Sequence, residues 1–290
     1  MSSVKLAAVS YPVGIEGVHT AEEFIAYAAR VSNPANQMNM ETAPKLLKYL
    51  VKNKHWSPFE MVSLTLEIKT TRDIGRQILR HRSFSFQEFS QRYAEVNDAF
   101  EFREARLQDQ KNRQNSIETS DDDVNQHWQD LQDHVAKVTR VAYDSALAHG
   151  IAKEQARVVL PEGMTKSTMY MAGSLRSWIH YCELRKGNGT QKEHRDIAIA
   201  AWNIILEQFP SLSEILVSDA PPKTEVLEVK PTQLDEQQMI AIIEKWARDN
   251  IPPIPPDWKE RLKNPPPPAA WDAQGGKPMI PGFSPVCSNE

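Results

Sequence analysis

Arg80-His81-Arg82-Ser83-Phe84-Ser85-Phe86-Gln87-Glu88-Phe89-Ser90-Gln91-Arg92-Tyr93 sets three arginines, a histidine, a carboxylate and three serines in fourteen consecutive positions. The guanidinium groups are planar, permanently charged forks suited to phosphate, while Glu88 and the hydroxyls can orient a neutral hydrogen-bonding ring. The composition therefore points to a ligand carrying both phosphate and a base. Charge clusters are more often solvated faces, but here Phe84, Phe86, Phe89 and Tyr93 are interleaved with the charges. Such rings draw a segment into the body of a protein, where arginines need anionic partners.

Working outward, the flanking sequence reads as alternating helix and strand. Val4 to Val9 form a short apolar strand, and 20–32 a helix opened by Thr20 with Glu23 as its capping box. Leu46, Leu47, Leu50 and Val51 fall on one face of a helix over 42–53. Leu64, Leu66 and Ile68 alternate with polar residues, as in a half-buried strand. Thr70 or Thr71 then caps a helix on which Arg72, Arg76 and Arg80 recur every four residues. A plain amphipathic helix accounts for Arg72 and Arg76; Arg80 is better explained by a site. Residues 105–122 read as a surface loop or irregular insertion. Val124, Trp128, Leu131, Val135, Val138, Val141 and Leu147 fit a long helix over 123–149, and further helices are predicted at 152–159, 164–185 and 190–208. The reading is an α+β protein, with a helix-rich domain around a small central sheet over residues 1–216.

A C-terminal extension follows at 217–290. Eleven of the chain's twenty prolines fall between 251 and 285, a composition that favours extended polyproline II over a packed core. One helix is predicted in it, at 232–249. The whole chain has 290 residues and is 40% hydrophobic, enough for a real core. No apolar run approaches the roughly 20 residues of a membrane span, and no long apolar leader follows Met1, so a cytoplasmic protein is expected. A net charge of −4 argues against wholesale binding of nucleic acid. Two cysteines, Cys182 and Cys287, are too few for a disulfide scaffold or a four-cysteine zinc site. His55, Glu60 and His81 lack the spacing of a metal array, and no catalytic metal is expected.

Arg-His-Arg, seven residues, then Ser90, with Glu88 and Arg92-Tyr93 alongside, resembles the signature of the flavin-dependent thymidylate synthases. Ala156-Arg157-Val158-Val159-Leu160-Pro161 is also similar to that family. So is Gly173 to Arg185, with Gln191 and Glu193 beyond it. The resemblance spans roughly residues 20–215, and none is seen for the extension. Gln87 stands where members often have Asn, and Gly189 where some have His.

This resemblance implies reductive methylation of dUMP to dTMP, with methylenetetrahydrofolate as carbon donor and FAD, reduced by NADPH, as hydride source. It implies that Gln77, Ile78, Leu79, Arg80, Glu88, Phe89, Ser90, Gln91, Arg92, Arg157 and Arg185 bind dUMP. Ser57, Arg80, His81, Arg82, Glu88, Ser174, Leu175, Arg176 and His180 would meet the FAD, with His55 and Glu60 lining the same cavity. It also implies a homotetramer whose active sites are shared between chains. Arg185 is the expected catalytic group, since a fixed cation at the uracil edge raises electron density at C5. Ser90 lacks an evident base apart from His81 or Glu88 and reads as a substrate hydrogen-bonding group. Cys182, among Trp178, Ile179 and Tyr181, reads as a core thiol rather than a nucleophile. A competing reading makes Arg72, Arg76, Arg80, Arg82 and Arg92, with the phenylalanines, a nucleic-acid-binding surface.

Overall fold

The computed structural model describes residues 2–216, so the predicted helix at 232–249, the proline-rich segment and Cys287 lie outside the described residues. Strand β1 (Ser3–Val9) pairs with β2 (Ser63–Thr71), which pairs with β6 (Lys166–Ser174), which pairs with β3 (Ser85–Glu88). All three ladders are antiparallel. Leu64, Leu66, Ile68, Met169 and Met171 are buried on one face, the period of two that a half-covered sheet requires. On β1 a bulge between Leu6 and Ala8 shifts the register. It lets Val4, Leu6 and Val9 all join the core despite uneven spacing.

Helices α1 (Ala21–Ala29), α2 (Ala43–Lys52), α3 (Arg72–Ile78), α6 (Leu175–Arg185), α7 (Lys192–Gln208) and α8 (Pro210–Leu216) accompany the sheet, and apolar residues of each belong to the main core. The start of α1 follows from Thr20, whose hydroxyl accepts from Glu23 N at 3.1 Å while Glu23 Oε2 accepts from Thr20 N at 2.9 Å. Trp178 fixes α6 to the sheet by donating from Nε1 to the Leu64 carbonyl at 3.1 Å. The long helix α4 (Asp122–Ala148) is capped by Asp121, and the short α5 (Lys153–Ala156) continues as a 3-10 turn over Arg157–Val159. Among the described residues no helix is long and apolar enough to cross a membrane.

The structure corrects four sequence expectations. The helix predicted at 164–185 is instead the central strand β6 followed by α6. The signature segment, expected as a loop after the arginine helix, contains a strand, β3. The stretch 105–122 holds a small hairpin, β4 (Arg106–Gln108) with β5 (Ser116–Glu118), closed by Asp109 Oδ1 accepting from the Lys111 and Asn112 amides. Finally, the arginine stripe is cut short, because α3 ends at Ile78 and Arg80 stands beyond it.

Candidate active site

The signature is pinned at its centre. Phe84 packs edge-on against Trp178 with ring centroids 4.8 Å apart, and its ring lies over Gly173, where a Cβ would come within 2.5 Å of it. Glycine is needed there for close approach rather than for its backbone freedom. The other rings are less embedded than the sequence suggests, since Phe89 is 38% and Tyr93 80% exposed. Arg80 and Arg82 are likewise exposed, and no carboxylate among the described residues pairs with either.

Around this anchor the charged residues fall into groups. Arg72 meets Glu88 at 3.3 Å, and Ser167 Oγ donates to the same carboxylate oxygen at 2.7 Å. Arg76 pairs with Glu162, so both arginines have structural partners, as their helical spacing suggested. Arg92 Nε lies 3.1 Å from Glu154 Oε2, and Arg157 Nε donates to the Glu154 carbonyl at 3.2 Å, which gathers two arginines at one glutamate. Ser90 Oγ accepts from Arg92 N at 3.4 Å. Beside it Gln91 is 4% exposed, and its Nε2 is buried without an acceptor. An orphaned donor of that kind costs stability unless a ligand supplies the acceptor.

Arg185, at the end of α6, donates from Nε to His81 Nε2 at 3.0 Å. Burial first, then the Arg185 and Arg80 guanidiniums, bring His81 down to about 4. The imidazole is therefore neutral at pH 7 and accepts this bond, with its proton on Nδ1. Tyr181 stacks edge-on against it at 4.8 Å. Gln77 donates to Gln191 Oε1 at 2.8 Å. Ile78, by contrast, has its side chain wholly in the core, while Leu79 is 38% exposed.

A second group sits at the Ser174 end of β6, beside the Gly173 on which Phe84 rests. Ser57 opens a 3-10 turn over Ser57–Glu60, Trp56 packs edge-on against His180 at 4.9 Å, and Glu60 pairs with Arg176. Ser174 caps α6 by accepting from Ser177 N at 3.3 Å, and Leu175 is fully buried. Ser174 is paired with Ser63 at one end of the β2–β6 ladder, whereas Ser167, which holds Glu88, pairs with Thr70 near the other. At about 3.3 Å per residue the two rungs are roughly 23 Å apart. Of the residues expected to meet one flavin, Glu88 lies opposite Met169, whereas Ser85, three residues after Arg82, lies opposite Ala172, near Ser174.

Several participants were not singled out from the sequence. Trp56, Glu154, Ser167 and His194 enter only through long-range contacts, although Gln191 and Glu193 already marked the segment holding His194. Cys182 is buried, and burial pushes its thiol far up, so it is not a thiolate nucleophile.

Arginines without carboxylate partners among the described residues, a neutral histidine bound to a guanidinium and a buried amide without an acceptor are gathered on an α+β scaffold, groups of the kind that suit a phosphorylated, planar ligand. The residues 15–211 match the family model described as thymidylate synthase complementing protein. A probable flavin-dependent thymidylate synthase of Paramecium bursaria Chlorella virus 1 is 54% identical over 214 residues, covering 74% of this chain and 98% of the relative. A flavin-dependent thymidylate synthase of Synechocystis sp. is 51% identical over 195 residues, covering 67% and 89%. Among solved structures, the UMP/dUMP methylase PolB of Streptomyces cacaoi bound with 5-Br UMP superposes with a TM-score of 0.64 at 27% identity, covering 75% of this chain and 94% of that one. The chain belongs to the flavin-dependent thymidylate synthase family.

Proposed function

We propose that the chain methylates C5 of dUMP to give dTMP, with methylenetetrahydrofolate as carbon donor, FAD as its flavin and NADPH as the reductant. The observation that carries this reading is the Arg185–His81 pair in a chain of this family. Neutral uracil is a poor nucleophile at C5. With Nε engaged by neutral His81, Arg185 keeps its two Nη nitrogens as a free planar edge, suited to two adjacent acceptors on a ring. Negative charge developing at N3 and its neighbouring carbonyls is stabilised there while C5 attacks the one-carbon unit.

The reaction balances as one C–C bond formed at C5 with loss of its proton, the two C–N bonds of the one-carbon unit broken with their electron pairs left on the folate nitrogens, one hydride gained by the carbon, and two protons, one from C5 and one from the reduced flavin, taken up by those nitrogens. Flavin, when bound, would supply that hydride and NADPH would replenish it, while the protein provides placement and electrostatics. Arg92 and Arg157, gathered at Glu154, suit the nucleotide phosphate, and Gln91 Nε2 suits an acceptor of the same ligand. Arg80, Arg82 and Arg176 fit the pyrophosphate of FAD, with Ser57 and His180 beside it. As the family resemblance implies, the working enzyme is read as a homotetramer in which neighbours complete each site.

The test is complementation of a thymidine-requiring strain, with an assay of purified protein for dTMP formation. Folded protein should be yellow from bound flavin. Colourless folded protein that retains nucleic acid and fails to complement would favour the nucleic-acid reading instead.

A further inference from the structure

Tyr181, His194, Gln77, Gln191 and Glu193 form a continuous line of polar side chains joining α6, α3 and α7. Tyr181 Oη lies 3.1 Å from His194 Nε2, and His194 Nδ1 lies 3.4 Å from Gln77 Oε1. Gln77 Nε2 donates to Gln191 Oε1 at 2.8 Å, and Gln191 Nε2 donates to Glu193 Oε2 at 3.0 Å. Tyr181 and His194 are 2% and 0% exposed, so an unmatched polar atom there would be costly.

The direction of every bond is fixed from one end. Glu193 pairs with Arg106 and is therefore an ionised, acceptor-only group. Gln191 must turn its NH₂ toward Glu193 and its carbonyl toward Gln77. Gln77 must then donate to Gln191, leaving its carbonyl facing His194. Burial, with Arg185 and His81 nearby, brings His194 down to about 3, so the ring is neutral and carries one N–H. That proton belongs on Nδ1, and Nε2 accepts from Tyr181, whose own proton is held by burial. The other end of the line requires the same order, because a Tyr181 hydroxyl that accepted from His194 would leave its proton without a partner.

We infer that His194 is a positioning residue for the substrate nucleotide, acting by locking the Gln77 amide so that its uncommitted N–H is offered to the ligand. This rests on the functional reading above, in which Gln77 contacts dUMP. Both acceptor-rich parts of dUMP, its phosphate and its uracil carbonyls, demand a donor. Without the N–H of His194 the amide is held by Gln191 alone; it keeps its sense but can swing about that one bond, and its uncommitted N–H loses its fixed direction toward the ligand. Sequence gives no hint of the lock, since Gln77 and His194 are 117 residues apart.

Histidine-labelled full-length protein, examined by ¹⁵N NMR without ligand at neutral pH, should show His194 protonated at Nδ1 and bare at Nε2, with the resonance assigned by its loss in His194→Asn. Dissociation constants for dUMP complete the test. His194→Leu should weaken dUMP roughly ten-fold, the usual consequence of losing one hydrogen bond's orientation, with flavin content unchanged. His194→Asn, whose amide N–H replaces Nδ1–H, should recover most of the affinity. An Nε2-protonated or doubly protonated ring overturns the inference without recourse to any variant. So does a folded, flavin-loaded His194→Leu protein that binds dUMP as the wild type does. Failure of the wild type itself to bind dUMP sinks the functional reading and, with it, the role given to Gln77.

Discussion

At the scale of single residues, Arg185 and His81 illustrate how burial selects a protonation state and thereby a geometry. A lysine at 185 would keep the charge but lose both the Nε contact to His81 and the bidentate edge. Arg185→Lys should cost about 2–4 kcal/mol of transition-state stabilisation in single-turnover kinetics, while bound flavin, measured by absorbance, stays near normal. Near-wild-type turnover would remove Arg185 from its assigned role. The same burial makes stability depend on pH. His81 and His194 fall to about 4 and about 3 from an ordinary 6.5, so between those values the unfolded chain binds more protons than the folded one. Stability is therefore complete above about pH 6.5 and declines as pH falls through this window, with the fully buried His194 contributing up to about 1.4 kcal/mol per pH unit. Thermal melting from pH 8 to 4 should show the decline, and His194→Asn should flatten it; parallel curves would mean that His194 does not titrate differently on unfolding. For Cys182→Ala the expectation is full chemical competence with a loss of about 1 kcal/mol in stability, because a buried sulfur is replaced by a small cavity.

At the scale of elements, what was legible in the sequence was what is locally determined. The Thr20–Glu23 box and the alternation of Leu64, Leu66 and Ile68 need only near neighbours to be recognised. Strand β6 was misread because Met169, Met171 and Ala172 suit a helix as well as a strand, and its true partners, Leu66 and Phe86, are distant in sequence. Strand β3 was hidden for the same reason inside a segment read for its charges. The site was legible to the extent that the arginines, His81 and Glu88 sit in one ordered motif; Glu154 and His194 were not, since tertiary contact alone brings them there. Gly173 shows how closely strand and motif are fitted. Gly173→Ala would drive a methyl into the Phe84 ring, which should cost about 1–3 kcal/mol and lower flavin occupancy by displacing the signature. Adding Phe84→Leu should recover part of the lost melting temperature; if the two losses simply add, the ring is not what the methyl meets.

At the scale of the whole molecule, α4 is the element whose sequence and surroundings disagree. Its apolar positions have the spacing of a long helix, and the helix is there, yet Trp128, Leu131, Val135, Val138 and Val141 are 39–70% exposed, and the buried residues of this helix are Gln132, Thr139 and Tyr143. Trp128, Leu131, Val135 and Val138 follow one another at spacings of three and four, which makes a stripe along one side of the helix. A stripe of this length left in water favours association. A second copy is the occupant that also fits the homotetramer with shared sites proposed above. Light scattering on the eluting protein should accordingly give the mass of a tetramer. Val135→Lys with Val138→Lys, at two exposed positions, should leave the fold intact by circular dichroism. The pair of buried charges it would place at each interface should shift the mass to smaller species and lower flavin content and turnover together. A variant that stays tetrameric and active would show that α4 faces solvent in the assembly, and a wild type that runs as an active monomer would show that one chain completes its own site.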